Sequence, residues 1–142
     1  AMKAILPTSS AQEPLRFEEV ADPPRSPGEV LVRVRAAGVN RADLLQRRGL
    51  YPPPPGASPI LGLEFSGEVI DGAGEWKSGD RVMGVTTGGA YATRIALAHE
   101  LLLPVPANID IVDAAALPEA FLTAHLNLFL LGRLEAEETV LI

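Results

Sequence analysis

Four consecutive prolines, Pro52–Pro55, lie inside a stretch from Gly38 to Gly67 that breaks the alternating strand pattern on both sides of it. A proline has no N–H to donate and a locked φ, so these residues can enter neither a helix interior nor a central strand. The chain is therefore divided. Sheet leads in, an irregular loop follows, and sheet and helix lead out. The polar residues of the stretch, Asn40, Arg41, Asp43, Tyr51 and Glu64, sit among glycines and aliphatics. Loops carried on a rigid scaffold are where binding groups concentrate.

Glu29–Ala37 has the cleanest period of two: Val30, Val32 and Val34 alternate with Leu31, Arg33 and Arg35. This predicts a strand with one face in the core and, through Leu31, the other partly covered. Met2–Leu6 reads as a short apolar strand ended by Pro7-Thr8-Ser9-Ser10. Leu15–Val20 reads as a half-buried strand with Leu15 and Phe17 inward. Glu64–Asp71, Asp80–Val85, Ala90–Ala98 and Leu101–Leu103 are further strands, with Trp76 over the core edge. Asn40 can cap a short helix, Arg41 to Arg48, whose third residue, Asp43, puts a carboxylate in the first turn; Gly49 ends it.

The pattern turns helical after Asn108. Asp110 and Asp113 are spaced as a cap and its acid, Ala114–Ala116 form a turn, and Pro118 leads into a helix over Glu119–Leu131 that Gly132 stops. Apolar residues go nearly all round that helix, which predicts burial on more than one face. Glu138–Ile142 predicts a continuously apolar strand of the kind found in parallel sheets.

Composition narrows the function classes. At 142 residues, with 47% hydrophobic and 21% charged residues, the chain suits one folded domain with a real core. A net charge of −6 speaks against a nucleic-acid footprint, and Arg41, Arg47 and Arg48 read as a solvated helix face. No apolar run approaches the roughly 18 residues of a membrane span. Residues Ala1–Leu6 lack a signal peptide's apolar region, and Ala1 before Met2 resembles an expression scar. Zero cysteines exclude disulfides, thiol catalysis and cysteine-built zinc sites, and the expected compartment is the cytoplasm. His99 stands beside Glu100 at a strand end, and His125 has no second nitrogen ligand one helical turn away; neither predicts a metal site.

Several motifs carry a resemblance: Ala37-Gly38-Val39-Asn40-Arg41-Ala42-Asp43, Gly49-Leu50-Tyr51-Pro52-Pro53-Pro54-Pro55-Gly56-Ala57-Ser58, and Ile60-Leu61-Gly62-Leu63-Glu64-Phe65-Ser66-Gly67. Gly79-Asp80-Arg81-Val82-Met83 and Ala115-Ala116-Leu117-Pro118-Glu119-Ala120 follow, then Leu122-Thr123-Ala124. Together they resemble the zinc-independent quinone oxidoreductases of the medium-chain dehydrogenase/reductase superfamily, near the p53-inducible subgroup. The resemblance implies a mainly β fold with some α: a chaperonin-10 (GroES)-like, partly open β-barrel over residues 1–107. Residues 108–142 would be connecting helices and the first strand of a Rossmann domain that is otherwise absent.

It also implies chemistry. Zinc-dependent relatives place a cysteine where Asn40 stands and a histidine where Leu63 stands, so the expected site is metal-free. The implied reaction moves a hydride from NADPH to a quinone or conjugated carbonyl, with an enoyl-thioester reductase as the alternative. Tyr51 is the implied donor or wall at the substrate carbonyl; Asn40 and Thr123 would contact the nicotinamide and its ribose. Glu64, with Asp43, would orient the pocket from behind. Each has a plainer reading. Tyr51 could pack on Pro52–Pro55, Asn40 could only cap its helix, Thr123 could bond back to a helix carbonyl, and Glu64 could pair with an arginine. The glycine-rich turn that holds a cofactor pyrophosphate is missing from the sequence, so the 142-residue chain is expected to be inactive by itself. A second class of reading is a non-catalytic binding module, self-associating through residues 119–142 and taking neither nucleic acid nor membrane as partner.

Overall fold

The computed structural model describes residues 1–8 and 13–141. Its β elements are β1 (Met2–Leu6), β2 (Arg16–Val20), β3 (Glu29–Ala37), β4 (Glu64–Asp71), β5 (Arg81–Val85), β6 (Arg94–Ala98) and β7 (Leu102–Pro104). Five of them form one antiparallel sheet in the order β6-β3-β4-β5-β7, and β1 and β2 pair as a separate hairpin. Register shifts in the β3–β4 ladder, between Leu31 and Val32 and between Val34 and Ala36, accompany its curl into a half-barrel. Val30, Val32, Phe65 and Val82 are fully buried at its centre. Each such side chain contributes about 1.5–3 kcal/mol by leaving water. Trp76 packs against this core and donates its Nε1–H to the His99 carbonyl at 2.9 Å.

The expected Ala90–Ala98 strand is shorter, and the reason bears on the site. Its first residues leave the five-stranded sheet and cross to the hairpin. The Tyr91 N–H donates to the Leu61 carbonyl at 2.9 Å, the Ile5 N–H to the Tyr91 carbonyl at 2.8 Å, and Ala92 bridges Ala4. Phe17 also departs from expectation. It is 66% exposed, because it lies on the hairpin face that lines an open groove rather than the core; the Lys3 ammonium lies 5.7 Å from its ring centroid. Ser9 and Ser10, expected to end β1, lie outside the described residues.

Between β3 and β4, α1 (Arg41–Arg47) forms as the sequence predicts, and the Gly49 N–H closes it on the Gln46 carbonyl at 2.9 Å. At the C-terminal end a 3-10 turn (Asp113–Ala116) enters the core through Ala114 and Ala115, and α2 (Pro118–His125) follows. The expected helix continues to Leu131, but as a π-helical run, Leu126–Leu131. Its faces are not buried: Phe121 is 66%, Phe129 50% and Leu131 68% exposed. These turns, Asp113–Leu131, are by length and composition apolar enough to cross a membrane, although no uninterrupted apolar run within them approaches 18 residues. Residues 138–141 carry no regular structure, and Ile142 lies outside the described residues. A single strand has no ladder to complete unless another strand pairs with it, and none does among the described residues.

Candidate functional site

The site begins where β3 ends. Gly38 marks the break because nothing larger fits: a Cβ there would lie 2.1 Å from Glu64 Oε1. The chain then turns at Asn40 into α1. The Asp43 carboxylate reaches back, and its Oδ2 accepts the Asn40 N–H at 2.8 Å while the Asp43 N–H donates to the Asn40 carbonyl at 3.1 Å. Asn40 therefore occupies the cap position, as predicted. Its side chain turns away from the helix start. The Asn40 Nδ2 donates to Glu64 Oε1 at 2.8 Å.

Glu64, the first residue of β4, is 4% exposed, and its other oxygen, Oε2, accepts the backbone N–H of Glu119 at 2.9 Å. This bond sits in the first turn of α2, where a carboxylate is favoured by the unpaired N–H groups and the helix dipole. Glu64 thus ties the α1 loop to α2. The expected arginine pair is not its partner; an amide and a helix N-terminus hold it instead. The Glu119 side chain is half-buried, and its carboxyl is pushed above the usual range by burial, then by the nearby charges of Glu64 and Asp43.

The structure adds a residue the sequence did not single out. Tyr91 donates its hydroxyl to Asp43 Oδ2 at 2.9 Å, with the Gly38 carbonyl at 3.3 Å. Burial, the Asp43 hydrogen bond and the charges of Asp43 and Glu64 all push its phenol upward, so Tyr91 stays a donor at neutral pH. Its ring is seated against Gly62, at φ +101, where an added Cβ would lie 2.6 Å from Tyr91 Cδ1. The sequence offers no direct signal for it, because Tyr91 lies inside the expected Ala90–Ala98 strand, just after the Gly88-Gly89 break. Beside this cluster lies a groove of about 470 Å³ between the hairpin and α1, walled by Ile5, Phe17, Leu44, Leu61 and Tyr91. Arg47 lines it too, and its Nη2 donates to the Glu13 carbonyl at 2.8 Å, so only Arg41 and Arg48 are the solvated cations the sequence predicts.

The remaining candidates stand apart from the network. Tyr51 is 49% exposed in a run of exposed prolines, which do not bury it. Thr123 is exposed on α2, and its backbone carbonyl accepts the Asn127 Nδ2 at 2.8 Å. Leu63 is 9% exposed, His99 pairs with Glu100 at 3.1 Å, and His125 stacks on Phe129 with ring centroids 5.4 Å apart. No group of three or more His, Asp or Glu side chains is placed to hold a metal ion among the described residues. The cluster supplies fixed acceptors and amides.

Fold and sequence together define a GroES-like domain. Residues 26–107 match the Alcohol dehydrogenase GroES-like domain family, and the chain belongs to that family. Its relatives are quinone oxidoreductase-like and VAT-1 proteins of the medium-chain dehydrogenase/reductase superfamily. It is 39% identical over 134 residues to Quinone oxidoreductase-like protein 2 of Mus musculus, covering 92% of this chain and 38% of that protein. A Mycobacterium tuberculosis mycocerosic acid synthase-like polyketide synthase is 35% identical over 144 residues, covering 99% of this chain and 7% of that protein. The fold is similar to a human VAT-1 homolog-like protein at TM-score 0.83 and 31% identity, over 94% of this chain and 45% of that one. It is also similar to the enoyl reductase JamJ at TM-score 0.84 and 25% identity, over 97% of this chain and 45% of that one. The Escherichia coli quinone oxidoreductase complexed with NADPH matches at TM-score 0.75 and 29% identity, over 90% of this chain and 40% of that one. The chain therefore spans less than half the length of each protein it matches here.

Proposed function

We propose that this chain is the N-terminal, substrate-binding domain of a cytoplasmic, NADPH-dependent oxidoreductase that reduces a quinone or conjugated carbonyl without a metal. The observation that carries the reading is the pairing of Asn40 with Glu64, which supplies a fixed, neutral amide where zinc-dependent relatives place a ligand. Leu63 occupies the other ligand position with a buried aliphatic. The p53-inducible type of enzyme remains the finer assignment this reading favours.

The residues present suit the nicotinamide end of the cofactor and not its phosphates. Asn40 and the exposed Thr123 offer uncharged polar groups for the carboxamide and ribose, whereas Asp43, Glu64 and Glu119 would repel a pyrophosphate. NADPH, when bound, supplies the hydride. The protein's own part is position and polarity: Asn40 and Thr123 hold the ring end, Glu64 fixes Asn40, and the Tyr51 hydroxyl donates to the substrate carbonyl as negative charge grows on its oxygen. A pyrophosphate cradle would lie in a dinucleotide-binding domain of the kind that residues 108–142 would lead into. The exposed apolar side chains of Phe121, Phe129, Leu130, Leu131 and Leu141 would be covered by a second copy of the chain, self-association being proposed through residues 119–142.

The test is NADPH-dependent quinone reduction by the full-length protein. Activity is expected there and not in the 142-residue chain, and Tyr51→Phe is expected to lower kcat/KM by about 10-fold, the scale of one hydrogen bond to developing charge. An unchanged rate removes Tyr51 from the mechanism; a full-length protein inert toward every quinone overturns the proposal. The similarity to JamJ and to the polyketide synthase favours a second reading, an enoyl-thioester reductase. Side-by-side turnover of quinones and enoyl thioesters decides between them.

A further inference from the structure

Tyr91 lies outside the five-stranded sheet, yet few side chains in the molecule are held so firmly. Its backbone is pinned on one side to Leu61 and on the other to Ile5, and its ring rests on Gly62, where no Cβ could intervene. The hydroxyl has one proton to give. It has two acceptors in reach, and the Asp43 carboxylate at 2.9 Å is nearer than the Gly38 carbonyl at 3.3 Å.

Asp43 is only 2% exposed, and its Oδ1 has no hydrogen-bond partner among the described residues. Two donors, the Tyr91 hydroxyl and the Asn40 N–H, converge on its Oδ2. A buried carboxylate is held in place by such donors and moves toward water when it loses them. Asn40 in turn depends on Asp43 for its backbone and on Glu64 for its side chain. A chain of bonds runs from Tyr91 through Asp43 to Asn40 and ends on Glu64.

We infer that Tyr91 is a positioning residue: its hydroxyl fixes Asp43, and Asp43 fixes the placement of Asn40. That Tyr91 places Asn40 rests on these bonds alone; that Asn40 faces a cofactor rests on the function proposed above.

Amide hydrogen exchange on the 142-residue chain tests the first statement. Tyr91→Phe keeps the ring and removes the hydroxyl. The Asn40 N–H is expected to exchange about 10-fold faster or more, the scale of a hydrogen bond to a charged group, while the amides of Val32 and Val69 in the sheet keep their rates. An unchanged Asn40, or an equal acceleration of Asn40 and the sheet, overturns the inference, because a general loosening moves every amide together. Asp43→Asn provides an independent arm. It too is expected to speed exchange at Asn40, and adding Tyr91→Phe to it should change little, since both act through one bond. Additive effects overturn the inference even if the first variant folds poorly. Quinone reduction by the full-length Tyr91→Phe protein then reads the second statement: a local effect at Asn40 with unchanged kcat/KM leaves the positioning intact and removes Asn40 from the cofactor.

Discussion

Phe65 and Phe129 are the same side chain in opposite settings. Phe65, on β4 between β3 and β5, is fully buried at the centre of the half-barrel; Phe129 is 50% exposed on the π-helical run, its ring tilted against His125. The first lies in a packed apolar cluster with Val32, Val69 and Val82. The second lies in an apolar helix with no second layer over it among the described residues. The half-barrel buries its own core, whereas the apolar side chains of the last helix have no cover among the described residues.

The largest effect should expose that difference. Phe65→Ala is expected to cost about 3–5 kcal/mol, through lost burial and the cavity left behind, read as a fall in the urea midpoint. Phe129→Ala should stay within about 0.5 kcal/mol in dilute protein. Its effect should instead appear at high concentration, where light scattering of the native chain reports self-association and the variant should weaken it. Equal costs for the two substitutions would break the comparison, and a native chain that stays monomeric at high concentration would remove the second copy as the cover.

Next comes the bond that joins the two regions. Glu64 accepts one donor at each oxygen, from Asn40 and from Glu119. Glu64→Gln preserves the shape but offers a single acceptor, so one buried donor must face an NH₂ group. The expected loss is about 1–3 kcal/mol, with an unchanged denaturant slope because the same surface is exposed on unfolding. A neutral result would mean that Glu64 is not what holds α2 against the half-barrel.

How much of this could be read from the residues follows the same divide. Glu29–Ala37 was legible to the residue because a strand with one buried face writes it as a period of two; Glu64–Asp71 was legible in extent, though its first residues, Glu64–Gly67, are buried on both faces. The loop that Gly38 opens, and the cap at Asn40 with Asp43, were legible from local backbone chemistry. The Glu64 contact was not. Its partner is a backbone N–H 55 residues away, and no side-chain pattern announces a backbone group. Tyr91 was hidden for a related reason: its alternation continues unchanged while the strand crosses from one sheet to the other. The burial expected for Glu119–Leu131 failed because periodicity tells how apolar a face is and not what covers it.

The smallest effect concerns the charge at the start of α2. The Glu119 carboxyl is raised above its ordinary value of 4.5, first by burial and then by Glu64 and Asp43. The folded chain therefore binds that proton more tightly than the unfolded one. The associated stability is fully present below pH 4.5 and is lost as the pH rises through the folded value. Glu119→Gln removes this titration and leaves Glu64 and Asp43 in place, so the difference between the two proteins isolates Glu119. Urea midpoints measured from pH 4 to 7 should fall more steeply for the native chain than for the variant. The gap should be small, because the side chain keeps part of its contact with water and is screened there. Parallel curves would place the Glu119 carboxyl in solvent, and the acidic cluster would then end at Glu64.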